Sequence, residues 1–135
     1  MRCAISYVST ANRYLLDSEI ADLMEFVELY NNTSGITGIL IYSDGNFFQV
    51  LEGETELVHS LFNKIKCDPR HHNIIKILDD TICESSFTKY HSFFTINQDN
   101  RGNKELQSFL NSEKTNNPDY FKSISYLTKK FMKLS

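Results

Sequence analysis

The sequence predicts an α+β fold in which two helices cover one face of an antiparallel sheet. The chain has 135 residues, which is the size of one domain with a substantial buried core. Its apolar residues alternate along some segments with the period of a strand and recur along others with the period of a helix. An Asp-Gly pair at residues 44–45 also joins two apolar segments, and such a pair strongly favours a β-hairpin.

A change of period along the chain predicts the first strand and the first helix. Residues 2–8 alternate and include β-branched side chains, so we predict a strand with Tyr7 on the same face as Cys3 and Ile5. Residues 17–30 carry apolar side chains three and four positions apart, opposite a face rich in acidic ones. We therefore predict an amphipathic helix over this second segment.

Residues 36–42 and 46–52 are the two strands of the predicted hairpin. If residues 44–45 form its two-residue loop, Leu40 lies opposite Gln49 and both side chains lie on one face. That face is otherwise apolar, so the hairpin places a single amide among hydrophobic neighbours.

The remaining predicted elements complete the order of strands and helices along the chain. Residues 55–66 predict a second amphipathic helix, and residues 73–82 and 87–96 predict two further strands. The order βαββαββ is typical of a ferredoxin-like sheet with both helices on one face. We assign residues 1–97 to this domain.

Residues 98–135 are predicted to form a C-terminal helical extension. One helix covers about residues 103–112, and a second begins at Pro118, a residue favoured in the first turn of a helix. We expect helices added to so small a sheet to cover its free face or to build a dimer.

The charge distribution argues against a nucleic-acid partner. The net charge is −3, and residues 1–100 hold 7 basic and 14 acidic side chains. Contacts with a phosphate backbone need cations, so an acidic body is unsuited to them. Residues 101–135 hold 7 basic and 3 acidic side chains, which could contact an acidic partner or simply face solvent.

Other features lead us to expect a cytoplasmic protein with no membrane segment and no metal. No apolar run approaches the roughly 20 residues that cross a bilayer, and the N-terminus lacks the apolar segment of a secretory signal. The odd number of cysteines, Cys3, Cys67 and Cys83, indicates reduced thiols. Cys67 precedes His71 by four positions, but no second pair at metal-ligand spacing follows.

Gln49 is the first candidate for chemistry, because an amide on an apolar face must find hydrogen-bond partners. It could equally bond to backbone and hold the sheet in register. Tyr7 could be an ordinary buried tyrosine, and residues 31–32 could simply end a helix. Residues 70–72, Arg-His-His, could bind an anion or face solvent.

Familiar motifs of other protein classes are missing. The sequence contains no glycine-rich nucleotide loop, nucleophile elbow or zinc-protease motif. RNA-recognition modules share the topology, but their central strands carry basic and aromatic residues, whereas residues 46–52 end in Glu52, which would repel phosphate. Small phosphoanhydride hydrolases need an arginine-bearing phosphate loop, and residues 9–12 contain no arginine.

The sequence resembles the BLUF family, the blue-light sensors that use FAD. The matching segments are SYVS at 6–9, YNN at 30–32, GITGILIYS at 35–43, FFQVLEG at 47–53 and DPRH at 68–71. The resemblance covers residues 1 to about 97.

The resemblance implies a light receptor that holds FAD non-covalently, with the flavin ring between the two helices on the sheet. Tyr7 would donate an electron and a proton to the photoexcited flavin. Gln49 would bridge Tyr7 and the flavin, and its amide would rearrange after excitation. An amide suits that role because rotation or tautomerisation exchanges the donor and the acceptor that it presents.

The resemblance also implies a set of binding residues. Asn31 would hold the ring through its carbonyl and imide groups, with help from Asn32. Arg70 and His71 would contact the flavin tail or its phosphates. The apolar walls would be Leu23, Leu40, Phe47 and Ile65.

The fifth strand departs from the family pattern. Where the family usually has a tryptophan and a methionine, this chain has Tyr90 and Ser92, and it contains no tryptophan. We hypothesise that Tyr90 is a second electron donor or that Ser92 bonds to Gln49.

These observations predict a photoreceptor that signals through a downstream protein or a second protomer, since no effector domain is visible in 135 residues. We expect a homo-oligomer, with the C-terminal helices as the output surface. The alternative is a flavin-free interaction module that kept the fold and lost the photochemistry. A small flavin-dependent reductase is a further alternative, but no nicotinamide site is visible.

Overall fold

The structure is a computed structural model that describes residues 1–89, 95–97 and 103–132. Its first part alternates strands and helices as the sequence predicts. These elements are β1 (Arg2–Ala11), α1 (Asp17–Thr33), β2 (Thr37–Ser43), β3 (Asn46–Glu54), α2 (Thr55–Lys66) and β4 (His71–Ile82).

The second part begins with one turn of 3₁₀ helix at Ser86–Lys89. It continues with β5 (Thr95–Asn97), α3 (Asn103–Asn116) and α4 (Pro118–Phe131). None of the helices in the described parts of the chain is long and apolar enough to cross a membrane.

The five strands form one sheet in the order β4-β1-β3-β2-β5. β1 pairs antiparallel with β3 and β4, and β2 pairs antiparallel with β3. The ferredoxin-like α+β fold is therefore confirmed.

The predicted fifth strand, residues 87–96, is partly wrong. Residues 87–89 belong to the 3₁₀ helix, and β5 is only three residues long and pairs parallel with β2. The physical reason is a distant partner: the backbone N–H groups of Ser86 and Phe87 donate to the carboxylate of Glu52 instead of to a neighbouring strand. Residues 90–94 lie outside the described part of the chain.

The hairpin has the predicted register, with Leu40 opposite Gln49. Asp44 and Gly45 have φ angles of 51° and 80°. Two consecutive positive φ angles are typical of the two-residue turn that matches the twist of the flanking strands. This turn therefore sets which β3 side chains face which side of the sheet.

Each face of the sheet carries its own core. On one face, side chains such as Ile5 and Leu51 pack against α1 and α2. On the other, side chains such as Phe48 and Val50 pack against α3 and α4. The C-terminal helices therefore cover the free face of the sheet, which is one of the two arrangements that we predicted; the division of the chain at residue 97 stays a prediction.

We expect Phe121→Ala to lower the free energy of unfolding by about 3–5 kcal/mol, the usual cost of removing a fully buried aromatic ring. Phe121 is 0% exposed in α4, and its ring centroid lies 5.6 Å from that of Phe87. Equilibrium denaturation in urea measures the loss. Tyr126→Ala, on the same helix but 64% exposed, is the matched control and should change stability by no more than about 0.5 kcal/mol. Equal losses would show that α4 does not share the core of the sheet.

Candidate functional site

A cleft of about 330 Å³ lies between α1 and α2 above the first face of the sheet. Its volume is in the range of small-molecule sites, and most of its lining is apolar. The apolar and aromatic lining residues are Leu23, Phe26, Val27, Tyr30, Leu40, Phe47, Leu61 and Ile65. The polar and charged ones are Tyr7, Asn31, Gln49, Lys64, Asp68, Arg70 and His71.

The floor of the cleft contains a buried hydrogen bond between Tyr7 and Gln49. The two residues lie directly opposite each other on β1 and β3, and they are 4% and 2% exposed. The hydroxyl of Tyr7 donates to Oε1 of Gln49 at 2.5 Å. Burial raises the pKa of Tyr7, so its hydroxyl keeps the proton that it donates.

Two amide donors that line this cleft have no partner among the described residues. They are Nε2 of Gln49, on the sheet, and Nδ2 of Asn31, in the last turn of α1. Both atoms are buried, and a buried N–H group without a partner costs about 1–3 kcal/mol. The geometry therefore suits a ligand that is largely apolar and carries hydrogen-bond acceptors for these two amides.

His71 is held by the protein on both sides of its ring. Nε2 lies 2.7 Å from the backbone oxygen of Ile65, which can only accept, so Nε2 carries a proton. Nδ1 lies 2.7 Å from the hydroxyl of Ser9, which donates to it when the imidazole is neutral. The ring is edge-on to those of Tyr7 and Phe47, at centroid distances of 6.2 and 6.3 Å. His71 is thus placed to fix the positions of its aromatic neighbours.

Charged side chains lie among the cleft residues where α2 ends. Nη2 of Arg70 lies 2.6 Å from Oδ2 of Asp68, and this pair lowers the pKa of Asp68. Lys64 lines the same part of the cleft. Two cations and one carboxylate therefore accompany the apolar interior.

The structure brings nearly all the predicted site residues into this one cleft. It contains Tyr7, Gln49, Asn31, Arg70, His71, Leu23, Leu40, Phe47 and Ile65. Asn32 is exposed and is not part of the lining. Tyr90 and Ser92 lie outside the described residues. The roles of all these residues toward a ligand stay predictions.

Sequence reasoning missed several lining residues, although a signal for most of them was present. Phe26 and Val27 lie three and four positions after Leu23, Leu61 lies four positions before Ile65, and Lys64 lies three positions after Leu61. Residues at these helical spacings share a face with the predicted walls. Extending each predicted wall residue along its helix would have found them.

We expect Tyr7→Phe to destabilise the ligand-free protein by about 1–2 kcal/mol, because it leaves the buried amide oxygen of Gln49 without its donor. In the Tyr7→Phe variant the amide of Gln49 has lost its partner. Adding Gln49→Leu removes that amide and should therefore restore about 1 kcal/mol of the free energy of unfolding. Urea denaturation of the single and double variants measures both effects. The control is Gln49→Leu in the parent protein. It should raise the free energy of unfolding by less, because it leaves the hydroxyl of Tyr7 without its acceptor. A Gln49→Leu effect that is independent of the residue at position 7 would contradict the hydrogen bond.

The known proteins to which this chain is similar include light-regulated ones. A region of 62 residues is 39% identical to the blue light- and temperature-regulated antirepressor BluF of Escherichia coli, covering 46% of this chain and 15% of that protein. The chain thus spans well under a fifth of that curated relative's length.

Two solved structures extend the comparison to the fold. The photo-activated state of BlsA has a TM-score of 0.66 and 36% identity, over 87% of this chain and 84% of that one. BlrP1 of Klebsiella pneumoniae, with FMN and cyclic diGMP, has a TM-score of 0.64 and 30% identity, over 73% of this chain and 26% of that one.

The family model described as "Sensors of blue-light using FAD" matches residues 3–93, which include the strands and helices that form the cleft. This match covers more than half of the chain. The chain therefore belongs to the BLUF family of blue-light sensors, whose cofactor is FAD.

Proposed function

We propose that this protein is a blue-light photoreceptor that holds FAD non-covalently in the cleft and signals by rearranging the hydrogen bond between Tyr7 and Gln49. The observation that supports this most directly is the state of Gln49. Its Oε1 accepts from Tyr7, while its Nε2 is buried in the cleft lining without a partner among the described residues.

The chain's own residues fit a flavin. A flavin ring is flat and largely apolar, and it carries carbonyl and ring-nitrogen acceptors along one edge. Leu23, Leu40 and Ile65 would pack against its faces. The buried N–H groups of Asn31 and Gln49, which are unpaired within the described part of the chain, would donate to that edge. Arg70 and His71 would contact the tail of the cofactor or its phosphates, and Lys64, which also lines the cleft, would add a second cation there.

The switch would act through the two ends of one amide. Bound flavin supplies the absorption of blue light and an acceptor for an electron. Tyr7 holds a proton at its hydroxyl and presents it to Oε1 of Gln49. Rotation or tautomerisation of the amide would exchange the group facing Tyr7 with the group facing the ligand. Because the pair is buried, water cannot average the two arrangements, so each would persist.

The output would leave through the C-terminal helices. α3 and α4 cover the sheet face opposite the cleft, and their side chains share a core with β2 and β3. A shift of these strands would therefore change how α3 and α4 pack, and with it the surface offered to a downstream protein or to a second protomer. We infer that the protein signals by contact and catalyses no reaction of its own.

Gln49→Leu is expected to keep FAD bound and to abolish the light-induced red shift of the flavin band, because it removes the amide and roughly preserves its volume. Tyr7→Phe is expected to keep FAD bound and to block photoconversion. Absorption spectra recorded in the dark, under blue light and during recovery measure both effects.

Tyr14→Phe is the matched control for these variants, because Tyr14 is 75% exposed and is not part of the cleft lining. It should photoconvert like the parent protein. A normal photocycle in Tyr7→Phe or Gln49→Leu would contradict the proposed switch. A colourless parent protein that does not take up added FAD would favour the flavin-free interaction module instead.

Asn31→Ala is expected to weaken FAD binding about tenfold or more, since it removes a buried donor that has no partner among the described residues. Titration of the ligand-free protein with FAD, followed by quenching of flavin fluorescence, gives the Kd. Asn32→Ala changes the exposed neighbour and should alter the Kd by less than about threefold. An equal loss in both variants would show that Asn32 also contacts the cofactor.

A further inference from the structure

Glu52 is a carboxylate buried on the sheet face that α3 and α4 cover. It is 0% exposed, although it lies in the same strand as Gln49. Oε1 accepts from the hydroxyl of Thr37 and from the backbone N–H of Phe87, each at 2.9 Å. Oε2 accepts from the backbone N–H of Ser86 at 2.9 Å and from the hydroxyl of Tyr120.

These four donors replace a counter-ion. None of the ion pairs formed by the described residues involves Glu52. Burial raises the pKa of this carboxyl group, and the four hydrogen bonds act in the opposite direction. Burial and the nearby charge of Glu52 raise the pKa of Tyr120, so that hydroxyl stays protonated and remains a donor. A buried carboxylate that depends on four donors is sensitive to the loss of any one of them.

The four donors belong to three different parts of the fold. Thr37 is in β2, Ser86 and Phe87 begin the 3₁₀ helix on the way to β5, and Tyr120 is in the first turn of α4. Glu52 is thus the point at which the hairpin that carries Gln49 is hydrogen-bonded to α4. It also holds the start of the segment that leads to β5, so a movement of either partner alters the donors at one carboxylate.

Two other buried polar side chains of α4 have no hydrogen-bond partner among the described residues. Ser125 and Thr128 are 1% and 0% exposed, and their hydroxyl groups have no partner among the described residues. Unsatisfied hydroxyl groups make docking less favourable than an all-apolar contact would. Beside the apolar packing of Phe121 and Ile124, the bond from Tyr120 to Glu52 is therefore a specific polar contact that ties this face of α4 to the sheet.

We propose that Glu52 is a positioning residue that couples the flavin-side strands to α4, because it holds α4 docked through Tyr120 and releases it when β3 or the segment after Ser86 shifts. This coupling rests on the proposed light-driven function. It needs no contact between Glu52 and the cofactor, since Gln49 and Glu52 face opposite sides of one strand.

Hydrogen exchange in α4 tests the coupling. The full chain loaded with FAD is compared in the dark and under blue light, and exchange is followed in peptides from residues 118–131. In the parent protein, light should speed this exchange. In Tyr120→Phe, exchange in the dark should already be about 10- to 100-fold faster, because one bond to a charged group is lost. Light should then have no further effect, while the flavin band still shifts.

Thr37→Val is the matched control, because it removes one hydroxyl donor from the same carboxylate without touching α4. It should preserve the light-dependent difference in α4. Glu52→Gln tests the acceptor itself and should behave like Tyr120→Phe, since the introduced amide would direct a donor toward other donors. A purely structural role would lower stability in all three variants and leave the light-dependent difference in place.

The coupling would be overturned if Tyr120→Phe kept the light-dependent difference of the parent, or if light left α4 unchanged in the parent. Failure of the proposed function is read separately, as a flavin band that does not shift in the parent. If the band does not shift, the hydrogen-exchange rates measured in the dark still test whether Glu52 holds α4 docked. Equal exchange in the parent and in Tyr120→Phe would show that it does not.

Discussion

The antiparallel register between β1 and β3 is the constraint on which the rest of this structure depends. It places Tyr7 directly opposite Gln49 and, three residues further along β3, Ala4 opposite Glu52. Because side chains alternate across a strand, a slip of one residue would exchange the two faces. The cleft would then lose its amide, and the core under α4 would lose its buried carboxylate. One register therefore sets up both the ligand site and the contact with the C-terminal helices.

The buried carboxylate on one face of the sheet and the two buried amides on the other differ in how completely they are hydrogen-bonded. On the α3–α4 side, Glu52 accepts four hydrogen bonds. On the α1–α2 side, Gln49 and Asn31 each keep a buried N–H group without a partner among the described residues. Satisfied buried groups favour a single rigid arrangement, whereas unsatisfied ones define a place where a ligand can add bonds. The contrast agrees with a carboxylate that holds the elements around it in place on one face, and with amides that are available to a ligand on the other.

Much of this arrangement could be predicted from the sequence, because it depends on local periodicity. The Asp-Gly pair predicted the hairpin register, and alternation along the first strand placed Tyr7 on one face with Ile5. What failed was non-local. The turn at Ser86–Lys89 depends on a carboxylate 34 positions away from Ser86. From the sequence, Glu52 is only an acid that would repel phosphate, and no periodicity reveals that a distant helix will bury it.

The unsatisfied amides in the cleft also bear on the lifetime of the protein in a cell. A ligand that binds only the folded chain stabilises it in proportion to the logarithm of its free concentration over its Kd. Without that ligand, two buried N–H groups lack partners among the described residues, so the unfolded fraction would be larger and proteases would remove the chain faster. Cofactor supply would then set not only how many copies can sense light but how many copies exist.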